Sequence, residues 1–97
     1  MLFLETYLDS FYYNQLIGNY EASYLENMDM QNIIDICLLL ENHKFYFIPD
    51  IIVGFIEIFE LKKRVVEEKL LYLKEKLGEN YVHIIANDLR HLQCILD

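Results

Sequence analysis

No lysine or arginine precedes Lys44, although seven carboxylates (Glu5, Asp9, Glu21, Glu26, Asp29, Asp35 and Glu41) fall in that stretch. Tryptophan is missing, proline occurs once, glycine three times and cysteine twice in 97 residues. Each shortage excludes something. So little Gly and Pro in a chain that is 55% hydrophobic is not the composition of a disordered segment. Cys37 and Cys94 stand far apart inside helical patterns, too few for a small disulfide-built secreted domain, and they point to a reducing, cytosolic setting. The opening MLFLETYLD has no positively charged start and meets Glu5 before any long apolar run, unlike a signal peptide. The longest uncharged apolar runs, IIVGFI and ICLLL, are far short of a bilayer's thickness, which argues against a membrane association. A net charge of −8 disfavours direct binding to nucleic acid or anionic lipid and suits a basic partner.

What is present reads as one helical domain over 1–97. Leu4, Leu8, Phe11 and Gln15 share a face at helical spacing, flanked by Tyr7 and Tyr12, and Gly18-Asn19 marks a stop. Ser23 and Glu26 have the spacing of a capping box for the next helix, with Asn27 and Asp29 as competing caps. The segment 30–42, MQNIIDICLLLEN, is apolar around most of its circumference and is expected at the centre. HKFYFI (43–48) interrupts the pattern, and Pro49-Asp50 opens another helix. From there Ile52, Ile56, Phe59, Lys63, Val66, Leu70, Leu73 and Leu77 form a heptad-like stripe broken by Lys63. It is either one helix of about 39 Å or two helices jointed near Lys62. Gly78-Glu79-Asn80 makes a short turn, and a last helix carries Val82, Ile85, Leu89, Leu92 and Leu96 on one face. Short turns between such segments predict an all-α fold, a compact antiparallel bundle of four to six helices.

No constellation in the sequence identifies a chemistry. There is no Gly-rich phosphate loop, GxSxG elbow or HExxH pair, so no catalytic residue is assigned and the chain is not read as an enzyme. Cys37 lies in the most apolar segment, where a thiol behaves as a small hydrophobe. His83, Asn87, Asp88, His91 and Cys94 bear some likeness to a metal cluster, but their spacing matches no zinc signature. His83, Asn87, His91 and Cys94 form the polar side of an amphipathic helix, and no metal or cofactor is expected. Lys62-Lys63-Arg64 is accounted for by an i,i+4 ladder of Glu60–Arg64, Lys63–Glu67 and Arg64–Glu68 on an exposed helix.

The charge map carries the functional reading. Residues 61–97 hold six acids and seven bases, so the acidity is concentrated in the first half, which also holds five of the eight tyrosines between residues 7 and 24. Tyr7 and Tyr12 are assigned to the core edge. The outward set is Glu5, Asp9 and Tyr13, continued through Tyr20, Glu21, Tyr24, Glu26 and Asp29, with Tyr20 and Tyr24 expected to be exposed near a turn. Tyrosine gives large contact area with few rotors, and carboxylates beside it steer and pair with cationic groups.

In size, helix content and this acidic, Tyr-rich segment, the chain resembles the small acidic bacterial immunity proteins that neutralise cognate toxins, such as those of contact-dependent inhibition and of nuclease bacteriocins. That resemblance is one of character, not of motif, and carries no residue roles over. It implies a cytosolic protein that binds a basic toxin tightly, one to one, and blocks its active site without catalysis of its own. A nucleic-acid-mimicking anti-CRISPR or anti-restriction protein would follow the same charge logic. A second class of reading is a helical adaptor, or a homodimer formed through the 52–77 stripe; a monomer would favour the inhibitor.

Overall fold

Asp29 begins the central element. In a computed structural model that describes residues 10–20 and 22–97, with side chains outside 10–13, 19, 22 and 26, its carboxylate accepts the Gln31 and Asn32 backbone N–H groups at 3.0 and 3.3 Å. These are two of the donors a helix start leaves without partners. The helices among the described residues are α1 (Ser10–Asn19), α2 (Ala22–Glu26), α3 (Met30–Asn42), α4 (Ile48–Gly54), α5 (Lys63–Leu77), α6 (Tyr81–Asn87) and α7 (Gln93–Leu96). Two 3₁₀ segments, Ile56–Glu60 and Leu89–Leu92, join them, and no strand occurs among the described residues. The protein is an all-α helical bundle.

Asp29, not Ser23, is thus the cap of α3; Ser23 lies inside the separate short helix α2. The far end of α3 closes in a Schellman turn. Phe45 N–H reaches Leu40 O at 3.0 Å and Lys44 N–H reaches Glu41 O at 2.9 Å, while Leu40 and Phe45 are both buried. The left-handed position that such a turn requires is held by Lys44, at φ 71°, where glycine is the usual occupant. The next sharp turn does use glycine: Gly78 ends α5 at φ 90° and ψ −171°, a conformation that side chains with a Cβ rarely adopt.

The core is built around α3, as its near-continuous apolar surface predicts. Ile33, Ile36, Cys37, Leu39 and Leu40 are buried against α5 and the first 3₁₀ segment, and α1 lies on α4 with Leu16 fully enclosed. Gln15, placed on the apolar face of the first helix by its spacing, is exposed, and its neighbour Leu16 is the core residue instead. Leu4, Tyr7, Leu8, Phe11 and Tyr12 of that expected face lie outside the described residues or side chains. Among the described residues the buried set contains no polar or charged side chain. Each fully buried Ile or Leu contributes about 1.5–3 kcal/mol from apolar transfer.

The 52–77 stripe is not one helix: it is jointed near Lys62, as the second alternative has it, and is broken once more at Phe55. It runs through α4, the 3₁₀ segment Ile56–Glu60 and α5, with breaks at Phe55 (φ −139°, ψ 46°) and at Leu61 and Lys62, which are extended. Ile52, Ile56, Phe59, Val66, Leu70 and Leu73 are all buried within the single chain. Asn32 on α3 holds the second break: its Nδ2 donates to Phe59 O and to Leu61 O, both at 2.8 Å. The last apolar stripe also breaks. Asp88 leaves the helical region at φ −152°, accepts the Arg90 N–H at 3.1 Å, and divides the expected final helix into α6, a 3₁₀ turn and α7. A short acidic side chain that bonds its own downstream backbone competes with helix continuation. Tyr81, Ile85, Leu92 and Ile95 are the buried residues there, while Val82, Leu89 and Leu96 are half-buried.

The expected ion-pair ladder on α5 does not form. Glu60 belongs to the 3₁₀ segment and is out of helical register with Arg64. Among the described residues the ion pair within 4 Å is Arg90–Asp88, at 2.8 Å. No described helix is long and apolar enough to cross a membrane.

Candidate functional site

Of the eight residues expected to meet a partner, Glu5, Asp9 and Glu21 lie outside the described residues, as do the side chains of Tyr13 and Glu26. The structure places the other three on one side of the molecule. Tyr20 and Tyr24 stack, with ring centroids 5.7 Å apart and planes 19° from parallel, and both pack against the core. They are half-buried, which corrects the expectation of exposure at a turn; helices α1 and α2 lay these rings down on the 3₁₀ segment instead. Their hydroxyls look toward its carboxylates. Tyr20 donates to Glu57 Oε1 at 3.2 Å. Burial, then the Glu57 charge and hydrogen bond, raise the Tyr20 phenol above its ordinary pKa; burial, then Glu60, raise that of Tyr24. Asp29 is exposed, but its Oδ1 is committed to capping α3.

The surface so formed is acidic and aromatic, but its composition differs from the sequence reading. Glu57 is half-buried and Glu60 exposed, and they stand where the sequence placed only residues 5–29. Nothing local announces this: Glu57 is 37 positions from Tyr20, and Glu60 had a ready explanation in a helical pair with Arg64. A groove of about 320 Å³ borders this face, lined by Asn27, Met28, Asp29 and Asn32 on one side and by Phe59 to Lys62 on the other.

A larger open cleft, about 700 Å³, lies between the end of α3, the turn after it, α5 and the start of α6. The HKFYFI segment shapes it. Phe45 and Phe47 turn inward and are buried, while Tyr46 between them turns outward and is 66% exposed. Phe45 meets Phe47 and Tyr81 edge to face, at 5.3 and 6.2 Å between centroids, which fixes the wall. His43 Nδ1 and the Tyr81 hydroxyl share a 2.6 Å hydrogen bond in this wall, and Tyr46 OH reaches toward His83 Nδ1 at 3.4 Å. Burial lowers the His43 pKa; Glu67 pulls it up and Lys74 pushes it down. Burial and Glu79 raise the pKa of Tyr81. Lys44, Lys63 and Lys74 line the same cleft with Glu67 and Glu79.

Both cysteines are free thiols, Cys37 in the core and Cys94 half-buried on the C-terminal segment. Cys37 is fully buried, and burial, then the Glu41 charge, pushes its thiol up to about 12. On the C-terminal segment Asp88 is engaged with Arg90 through two side-chain hydrogen bonds of 2.9 and 2.8 Å, which hold its carboxyl down at about 2. Among the described residues no three His, Cys, Asp or Glu side chains are grouped to hold a metal ion. No family model, curated protein or solved structure matches the chain. Its chemistry is therefore read from these two surfaces.

Proposed function

We propose that the chain is a non-catalytic binding protein that covers a basic surface of a partner, in the manner of an immunity protein on a nuclease toxin. The observation that carries this reading is the join of Tyr20 and Tyr24 with Glu57 and Glu60. Two stacked phenols hold carboxylates at a surface where, among the described residues, no lysine or arginine pairs with them within 4 Å. Carboxylates gathered without counter-charge repel one another in the free protein, and cations brought by a partner relieve that repulsion. The rings give such a contact rigid apolar area, so the surface both attracts and packs. Glu5, Asp9, Tyr13, Glu21, Glu26 and Asp29 extend the same charge in sequence. Binding one to one over the partner's phosphate-contacting residues would occlude its active site.

The test is made on the protein that co-purifies from the native host. A Glu57→Lys/Glu60→Lys variant, shown by circular dichroism to keep its helix content, should associate about tenfold more slowly at low salt, because steering acts on the on-rate. Wild-type binding should weaken as ionic strength rises. An acidic partner, or an association rate that charge reversal leaves unchanged, would refute the reading.

A further inference from the structure

We propose that the cleft between α3, α5 and α6 is a binding site for a small phosphorylated ligand, separate from the acidic face. In a chain with 8 lysines and arginines against 16 carboxylates, the cleft holds three lysines against two glutamates. The lysines come from separate places: Lys44 from the turn after α3, Lys63 from the first turn of α5, and Lys74 from its last. Among the described residues, none of the three forms an ion pair within 4 Å. Lys63 and Glu67 stand one helical turn apart on α5 and still do not close to ion-pair distance, nor do Lys44 and Lys74 find a carboxylate within 4 Å among the described residues.

Three exposed lysines lining one depression, in a protein that is otherwise strongly negative, suit a multiply charged anion. Lysine serves phosphate as a compact point charge with three donors. The cleft's volume is within the range that accommodates a small molecule. The remaining lining chemistry fits the rest of such a ligand. Glu67 and Glu79 offer acceptors for hydroxyl or amino groups, and the exposed ring of Tyr46 offers a face for stacking.

Lys44 adds an independent argument. It occupies the left-handed position of the Schellman turn, where glycine would cost less, so the side chain is kept at the cleft's rim against the backbone's preference. Strain tolerated at a surface turn, for a cationic residue that lines a cleft, is explained by what the cation holds.

Inorganic pyrophosphate is the probe, followed by NMR on the full chain against sodium chloride at matched ionic strength. At millimolar concentration it should shift the signals of Lys44, Tyr46 and His83 saturably. Lys44→Gly should weaken that binding about tenfold, the loss of one charge-assisted contact. It should also raise the melting temperature by about 4 °C or more, as the turn gains its preferred residue. That opposite movement separates lost binding from lost folding. Lys74→Ala should weaken binding similarly, whereas Lys76→Ala, outside the cleft, should not. No saturable shift, an equal shift with chloride, or full binding by the Lys44→Gly and Lys74→Ala variants would overturn the proposal. None of these outcomes depends on the acidic face.

Discussion

Asn32→Ala should be among the most damaging single changes outside the apolar core. The Asn32 amide sits half-buried on α3 and donates two 2.8 Å hydrogen bonds, to Phe59 O and Leu61 O, across the break before α5. Each such bond contributes about 1 kcal/mol net, and a carbonyl left dry costs more, so removal should destabilise by about 2–3 kcal/mol. A domain of this size has only about 5–15 kcal/mol in total. The urea midpoint should therefore fall by about 0.7–3 M for a slope near 1–3 kcal/mol per M. Asn32→Asp makes the test sharper, since it keeps the shape and replaces the donor with a carboxylate facing two carbonyl oxygens. It should be worse than alanine at neutral pH and recover partly as pH falls toward about 4, because the two facing carbonyls raise the new carboxyl above its ordinary value. A midpoint shift of less than about 0.3 M for alanine, or an aspartate variant as stable as wild type, would refute the role given to this amide.

Stability should fall at both ends of the pH range, for opposite reasons. The His43 pKa is lowered in the folded state, so its contribution is present above the unfolded value and is lost as pH falls below it; His43→Asn should flatten that acid limb in urea titrations at stepped pH. Tyr20, Tyr24 and Tyr81 have raised folded pKa values, so their contribution is present below about pH 10 and lost above it, and Tyr20→Phe/Tyr24→Phe should flatten the alkaline limb. With an aromatic disulfide reagent at neutral pH, half-buried Cys94 should react first, and Cys37, buried with its thiol pushed to about 12, only as fast as the protein opens; prompt reaction of both would contradict the core placement.

The sequence was most legible where a single helical period decides the outcome. The all-α class, the central place of 30–42 and the burial of Val66, Leu70 and Leu73 all follow from apolar spacing. The breaks at Phe55 and Asp88 were not legible, because a 3₁₀ turn keeps residues at three-residue spacing on nearly the same face, whereas the joint near Lys62 was one of the two readings that Lys63 left open. Ile56 and Phe59 are buried whether the backbone between them is α or 3₁₀. The candidate surfaces were legible only in part. Tyr20 and Tyr24 could be singled out by composition, but the carboxylates that complete their face are joined to them by the tertiary fold alone. The cleft left almost no trace, since Lys44, Lys63 and Lys74 are spread over 31 positions of the sequence.

One trace was there, and the fold explains it. Lys63 stands at a stripe position between Phe59 and Val66, both fully buried, where a continuous helix would drive an ammonium group into the core. The backbone avoids this by leaving helical geometry at Leu61 and Lys62, with ψ near 158° and 141°, and restarting α5 at Lys63. The restart divides neighbouring lysines between two depressions: Lys62 lines the groove beside the acidic face and Lys63 lines the cleft. Asn32 fastens the chain leading into this restart to α3 through the Phe59 and Leu61 carbonyls. The one residue that spoils the heptad is thus the reason the stripe is jointed, and the joint is what gives the cleft its lysine.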